Sequence, residues 1–205
     1  MDKQVAIIDL GIGNIGAVAN MLRRAGGNVC FVSDPNKLTE FSKVMLPGVG
    51  SFDTAIIKLD TAGFRSALHN YVSNGGSLLG ICLGMQLLAD ESEEGEMPGL
   101  GLIPGTVKRF SFDQGPALKV PHMGWNKVMY SKPHPMAEGL DESARFYFVH
   151  SYYFKCVCKQ DELFRTQYGT NFSSGIQRGN VIGVQFHPEK SHRFGMQLIK
   201  NFVEL

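Results

Sequence analysis

Residues 77–90, SLLGICLGMQLLAD, join an apolar run to a segment of helical character through a cysteine. The apolar run ends at Cys82, and glycines stand two residues before and after it, at Gly80 and Gly84. This is the layout of a nucleophile elbow, a tight strand-to-helix turn that presents a reactive side chain. A thiol at a helix N-terminus faces unpaired N–H groups, which favour its thiolate form. The pattern alone leaves open a structural cysteine buried in a core strand.

The composition is that of an ordinary globular protein, with 43% hydrophobic residues, 19% charged residues and a net charge of +1 over 205 residues. The balanced charge gives no support for nucleic acid or an anionic membrane as the main partner. No apolar run approaches the roughly 18 residues of a transmembrane helix, and the apolar stretch near the N-terminus is too short for a secretory signal. Four cysteines without C-x-x-C spacing indicate a cytoplasmic protein with reduced thiols.

Short apolar runs alternate with helical periodicity over the first ninety residues. The runs at 5–10, 29–32 and 44–46 predict strands buried on both faces, and residues 15–25 and 64–72 predict helices between them. This alternation predicts an α/β fold with a doubly wound, mostly parallel sheet. Later strands are expected to extend that sheet before a terminal helix, at 106–112, 145–154, 163–168, 172–177 and 181–186. We therefore expect a single domain over residues 1–205.

The sequence QFHPE at residues 185–189 supplies what a nucleophilic cysteine needs. A thiol nucleophile requires a general base, and the base requires an acceptor that orients it. His187 and Glu189 lie two residues apart at a strand end, so both can project to one side, and Pro188 stiffens the link. Glu189 could then hold one ring nitrogen while the other faces sulfur. The alternative is a surface histidine beside a solvated glutamate.

Two loops could complete a site around Cys82. The sequence PGVGS at 47–51 lies where such a sheet builds its sites, and it could offer a backbone N–H to an oxyanion beside the N–H of Leu83. The alternative is a tight turn without contact to a substrate. The acidic run at 91–96 is ordinarily a solvated loop, although one of its carboxylates could receive a substrate ammonium.

Other motifs allow other classes of function. Gly11, Gly13 and Gly16 form a G-x-G-x-x-G after a strand, with Asp34 about twenty residues on, as in dinucleotide-binding proteins. A nucleotide-binding protein would leave the cysteine elbow and the QFHPE segment unexplained. A metal site is also conceivable at the histidines, which lack ligand spacing: His122, His150 and His187.

Taken together, GICLGMQ, PGVGSF and FHPEKS resemble class I (triad) glutamine amidotransferases, which have a flavodoxin-like fold. Over essentially its full length the chain is similar to the glutaminase subunit of imidazole glycerol phosphate synthase. The segments PHMGWN (121–126) and YFVHSY (147–152) are especially specific to that subunit. The resemblance implies a cytoplasmic enzyme that hydrolyses L-glutamine to glutamate and ammonia, without a cofactor or metal.

The resemblance also implies roles for individual residues. Cys82 would attack the glutamine side chain, His187 would transfer protons and Glu189 would orient it. The oxyanion hole would consist of the N–H groups of Val49 and Leu83. Substrate-binding roles carry over to four further positions: Gln86, Glu94, Ser151 and Tyr152.

Members of the family deliver their ammonia to a partner, a TIM-barrel cyclase, with which they form a heterodimer. The resemblance places Asn14 and Trp125 where that partner binds. The cyclase makes imidazole glycerol phosphate and an aminoimidazole carboxamide ribotide in histidine biosynthesis. In the common form of the family the first turn reads DYGAGN, whereas here it reads DLGIGN. This variant resembles a branch that feeds ammonia to sugar amidation for surface polysaccharides. A docking module without catalytic activity is a further alternative, which the intact Cys82, His187 and Glu189 disfavour.

Overall fold

The computed structural model describes residues 3–11, 14–112 and 118–205. Within these ranges the strands are β1 Gln4–Ile8, β2 Asn28–Val32, β3 Lys43–Gly48, β4 Ser77–Cys82, β5 Glu91–Ser92, β6 Gly105–Arg109, β7 His122–Lys127, β8 Met129–Tyr130, β9 Arg145–His150, β10 Tyr152–Cys156, β11 Glu162–Tyr168, β12 Thr170–Arg178 and β13 Val181–Val184. The α-helices are α1 Ile15–Arg24, α2 Phe52–Thr61, α3 Phe64–Ser73, α4 Leu83–Gln86 and α5 His192–Glu204.

Eleven of the described strands form one sheet, whose main path runs β2-β1-β3-β4-β13-β12-β10-β6-β5. The five strands from β2 to β13 are parallel to one another. Beyond β13 the strands β12, β10 and β6 pair antiparallel, and β11 and β8 attach to β12 as a branch. The parallel core with added antiparallel strands confirms the predicted fold class.

Alternate side chains of the central strands enter two separate cores, one on each face of the sheet. On β1, Val5 and Ile7 pack with α1 and α5, whereas Ala6 and Ile8 pack with α2 and α3. Because successive residues of a strand point to opposite faces, an uninterrupted apolar strand requires helices on both sides. This is the doubly wound arrangement. Within the described residues, no helix has the length and apolar character needed to cross a membrane.

One strand prediction was wrong in a way that matters for the site. Residues 145–154 were expected to form one strand of the main sheet, but the chain breaks at Ser151. The first part, β9, leaves the main sheet and pairs with β7 in a separate two-stranded sheet, while β10 continues in the main sheet. Both halves are rich in aromatic residues, which favour strands, so the pattern alone does not reveal the change of sheet.

Candidate active site

Cys82 ends β4 in a backbone conformation that few residues adopt. Its φ of 56° and ψ of −110° lie in a region that is costly for any side chain with a Cβ atom, and the thiol is buried. A Cβ on Gly80 would meet the carbonyl of Gly84, so the chain can fold back tightly only because glycines flank the cysteine. The predicted elbow is therefore present. The helix that follows is only four residues long, which limits its dipole.

His187 and Glu189 follow β13 and form a hydrogen-bonded pair. Nδ1 of His187 lies 2.7 Å from Oε1 of Glu189, and both side chains are buried. Among the described residues, Nε2 of His187 has no conventional hydrogen-bond partner. Burial lowers the pKa of His187, but the nearby Cys82 and the hydrogen-bonded carboxylate of Glu189 outweigh burial and raise the pKa to about 9. The ring is thus set up to carry a proton beside the sulfur of Cys82.

The backbone around His187 is tied to the small sheet. The N–H of His187 donates to the carbonyl of Tyr147 over 2.9 Å. The hydroxyl of Ser191 donates to the carbonyl of His187 over 2.6 Å and accepts from the N–H of Tyr147 over 3.0 Å. These three hydrogen bonds fix where the imidazole stands relative to β9, which explains how a residue outside a regular strand is held in place.

A cleft of about 370 Å³ opens above Cys82 and brings most of the predicted site together. Its walls include eight residues that sequence analysis assigned: Cys82, His187, Val49, Leu83, Gln86, Glu94, Ser151 and Tyr152. Glu189 lies behind His187 and does not line the cleft. The other five lining residues had no individual role assigned in the cleft: Gly50, Pro121, Val149, His150 and Lys190.

The glycine-rich loop reaches Cys82 because its strand is the neighbour of the elbow strand. In the pairing of β3 with β4, Gly48 stands opposite Cys82. Val49 follows at the lip of the cleft with 46% of its surface exposed, and Gly50 has a φ of +112°. Leu83 begins α4 directly after the cysteine. The two predicted oxyanion residues therefore border the same space as the thiol.

Gln86 joins the cleft wall to β10. Its side-chain nitrogen Nε2 donates to the carbonyl of Tyr152 and to Oε1 of Gln185, over 3.0 Å in each case. The carbonyl of Tyr152 also accepts from Nδ1 of His150 over 2.7 Å. With both lone pairs of this carbonyl engaged, Tyr152 can offer a ligand only its donors.

Glu94 holds the far end of the glycine-rich loop. Its Oε2 accepts a hydrogen bond from the N–H of Phe52, the first residue of α2, over 3.0 Å. Burial raises the pKa of Glu94 although this hydrogen bond opposes the shift, and the charge of Asp53 adds to the increase. The carboxylate thus links the acidic loop to α2 while it lines the cleft.

His122 and His150 lie side by side and hydrogen bond to each other, with Nδ1 of His122 3.0 Å from Nε2 of His150. Because the carbonyl of Tyr152 can only accept, His150 carries its hydrogen on Nδ1 and accepts on Nε2. His122 therefore donates from Nδ1 and accepts at Nε2 from the amide of Asn126 over 3.2 Å. Burial lowers the pKa of His122 to about 4 and that of His150 to about 3. Among the described residues, no group of three or more His, Cys, Asp or Glu is placed to hold a metal ion.

The structure does not place Asn14 and Trp125 in the cleft. Asn14 is exposed and caps α1, accepting from the N–H of Ala17 over 3.3 Å. Trp125 lies on β7, is 44% exposed and stacks flat on His192 with ring centroids 5.2 Å apart. Both are surface positions.

The glycine motif of the alternative nucleotide site includes Gly13, which lies outside the described residues. Asp34, its expected acidic partner, caps a 3₁₀ turn by accepting from the N–H of Asn36 over 3.0 Å. The described part of the motif therefore adds no support for a bound nucleotide.

Comparison with known proteins gives a consistent result. Residues 6–205 match the family model for class I glutamine amidotransferases. The chain is 45% identical over 201 residues to imidazole glycerol phosphate synthase subunit HisH 2 of Methanococcus maripaludis, covering 98% of each chain. It is 47% identical over 207 residues to the HisH subunit of Moorella thermoacetica, covering 99% of this chain and 95% of that protein.

Solved structures support the fold. The crystal structure of a glutamine amidotransferase superposes with a TM-score of 0.72 at 23% identity, covering 95% of this chain and 98% of that chain. PurLQS from Thermotoga maritima superposes with a TM-score of 0.75 at 16% identity, covering 100% of this chain and 99% of that chain.

Proposed function

This chain belongs to the class I glutamine amidotransferase family and, within it, to the HisH subunits of imidazole glycerol phosphate synthase, and we propose that it hydrolyses L-glutamine through Cys82, His187 and Glu189. The observation that supports this proposal is the way the thiol, the imidazole and the carboxylate are arranged in space. A buried thiol in a strained elbow and an imidazole held by a buried carboxylate border one cleft with the glycine-rich loop.

The chemistry follows from the pairing of thiolate and imidazolium. The sulfur of Cys82 adds to the side-chain amide carbon, and His187 gives its proton to the nitrogen as the C–N bond breaks. Ammonia leaves and a γ-glutamyl thioester remains. His187 then takes a proton from water, which attacks the thioester. The C–S bond breaks, glutamate leaves, and the thiolate and the imidazolium are restored.

Each of the two additions places a negative charge on the substrate oxygen. The backbone N–H groups of Val49 and Leu83 are our candidates to receive it, because both residues border the cleft beside the sulfur. Val49 lies between two glycines, so its peptide can reorient at low cost. We expect the isolated chain to be a weak glutaminase until a partner orders this loop.

The α-ammonium and the α-carboxylate distinguish free glutamine from a glutamine side chain in a protein, and different residues of the cleft would bind each of these two groups. The carboxylate of Glu94 would bind the α-ammonium. Tyr152, whose carbonyl is already engaged twice, and Ser151 would present backbone N–H groups to the α-carboxylate. Gln86 would hold the substrate from the wall beside the nucleophile, where its amide is fixed by Tyr152.

The relatives are named as subunits of a synthase, which supports a second chain as partner. We propose a heterodimer with a TIM-barrel cyclase that uses the ammonia to make imidazole glycerol phosphate and the aminoimidazole carboxamide ribotide in histidine biosynthesis. The exposed Trp125, supported by its stack on His192, and the exposed Asn14 are the proposed contact positions.

Glutamate release from glutamine tests the proposal, measured with the chain alone and with the cyclase of the same organism plus its nucleotide ligand. Cys82→Ala should abolish release while the fold survives, since losing a small thiol costs only about 1 kcal/mol. Cys156→Ala, in a different cleft, is the matched control. Activity retained in Cys82→Ala would refute the nucleophile. If hydrolysis depends on Cys82 but the cyclase does not stimulate it, the result would indicate that the ammonia goes to another acceptor, such as a sugar amidation partner.

A further inference from the structure

We propose that Gln185 is a further catalytic residue, whose side-chain amide donates a hydrogen bond to the sulfur of Cys82 and stabilises it as a thiolate. The proposal deepens the glutaminase proposal above and rests on it for its consequence in turnover. Gln185 follows β13 directly and is completely buried. Its Nε2 lies 3.9 Å from Sγ of Cys82, within hydrogen-bond range for sulfur.

The direction of this hydrogen bond follows from a chain of contacts that begins at a backbone carbonyl. The carbonyl of Tyr152 can only accept, so the side chain of Gln86 must turn its NH₂ group towards it. The second hydrogen of that NH₂ group then needs an acceptor, and Oε1 of Gln185 lies 3.0 Å away. With its oxygen committed to Gln86, Gln185 must present its own NH₂ group to the sulfur of Cys82.

The segment that follows β13 places this donor where a nucleophile needs it. Phe186, which stands between Gln185 and His187, is buried in the core and stacks on Phe146 with ring centroids 4.0 Å apart. The amide of Gln185 and the imidazole of His187 therefore reach Cys82 from the same segment. A donor stabilises a charged thiolate more than a neutral thiol, because hydrogen bonds to ionised groups are the stronger ones.

The backbone near Gln185 shows why the donor can hold a fixed position. Its N–H donates to the carbonyl of Ser174 on β12 over 2.9 Å, so the residue is anchored to the neighbouring strand. With the backbone held by β12 and the side-chain oxygen held by Gln86, the amide has little freedom to turn away. Such a preorganised donor needs no reorganisation when the sulfur becomes charged.

The test measures the reactivity of Cys82 in the full-length chain, without relying on turnover. Alkylation by iodoacetamide is followed peptide by peptide across pH, with exposed Cys158 as the internal control. Gln185→Met keeps the length of the side chain but removes the donor. We expect Cys82 to react about tenfold more slowly at neutral pH, because a hydrogen bond to a charged sulfur is among the stronger ones and its loss disfavours the reactive form.

Gln185→Glu is the second variant. Its carboxylate can still accept the hydrogen bond from Nε2 of Gln86, so the contact between these two side chains is kept. A negative charge beside the sulfur should slow alkylation of Cys82 further. Loss of reactivity in both variants, with Cys158 unchanged, would support the proposal. A lowered melting temperature with an unchanged alkylation profile would overturn it and leave Gln185 a packing residue. Failure of the glutaminase proposal is separate, since it would appear as turnover that survives Cys82→Ala.

Discussion

Gly84 lies against the carbonyl of Leu46 so closely that a Cβ atom at position 84 would overlap that oxygen. Leu46 belongs to β3, which leads into the glycine-rich loop, and Gly84 lies in the turn just after Cys82, the proposed nucleophile. The contact packs the elbow, through backbone atoms, against the strand that leads into the proposed oxyanion loop, so the elbow and the start of that loop cannot shift independently.

Gly84→Ala should therefore damage both the fold and the site. We expect a loss of about 1–3 kcal/mol in unfolding free energy, as for other overpacked positions, together with a loss of glutaminase activity in the folded fraction. Urea denaturation and glutamate release measure the two effects. Gly16→Ala is the matched control, because Gly16 is exposed in α1 and a Cβ there meets only the side chain of Asn14, at 3.8 Å. That change should be neutral or slightly stabilising. Equal stability of Gly84→Ala and wild type would contradict the packing argument.

Glu189→Gln should lower glutaminase kcat/KM by about 10²–10⁴-fold, as when the orienting carboxylate of a triad is neutralised. The nearby Cys82 and the hydrogen-bonded carboxylate of Glu189 together raise the pKa of His187 to about 9, against the effect of burial. The imidazolium is therefore retained below that pH and lost as pH rises through about 9. Removing the charge of Glu189 should move the alkaline limb of the activity profile to lower pH.

The pH–rate profile of kcat/KM measures this shift, and Glu138→Gln serves as a control outside the cleft. An alkaline limb that stays in place in Glu189→Gln would show that the carboxylate does not set the charge of His187.

Glu94→Gln should raise KM for glutamine by about tenfold or more, because a single charged contact to the α-ammonium is lost, while kcat changes less. Burial raises the pKa of Glu94, so wild-type KM should also rise on acidification as the carboxylate takes up a proton. Steady-state kinetics across pH checks both points. Glu96→Gln is the matched control, since Glu96 is exposed in the same loop. A purely reduced kcat would indicate that Glu94 acts through Phe52 and the glycine-rich loop instead.

The buried pair His122 and His150 should make the fold sensitive to acid. Burial lowers the pKa of the two rings to about 4 and about 3, from an ordinary 6.5. The unfolded chain therefore binds protons at these positions from about pH 6.5 downward while the folded chain does not. The free energy of unfolding therefore falls as pH drops below 6.5, and this loss continues through about pH 4 for His122 and about pH 3 for His150.

Urea midpoints measured between pH 7 and pH 4 test this expectation. In His122→Phe the midpoint should fall less steeply with decreasing pH, because one of the two titrating groups is removed. The substitution suits the site, because His122 stacks on Phe148 and Tyr168. His69→Phe, at an exposed position of α3, is the control. An unchanged slope in His122→Phe would show that the acid sensitivity arises elsewhere.

Sequence patterns predicted much of this molecule because they report local constraints. The apolar strands, the glycines around Cys82 and the two-residue spacing of His187 and Glu189 all act over a few residues, where steric limits leave few conformations. The expected single strand at 145–154 was wrong because both of its halves satisfy strand propensity. Only their pairing partners, β7 for one half and β6 and β12 for the other, separate them.

The amino-acid sequence by itself predicted the parallel core and the elbow, which the structure confirms, and it supplied the proposal of Cys82 as nucleophile, His187 as base and Glu189 as orienting carboxylate. Only the tertiary structure decided which side chains of the cleft hydrogen bond to one another. Gln185 meets Cys82 across 103 positions of sequence, and Gln86 meets Tyr152 across 66. The physical reason is that hydrogen-bond direction depends on which acceptor each donor reaches in space, and no local pattern along the chain specifies that contact.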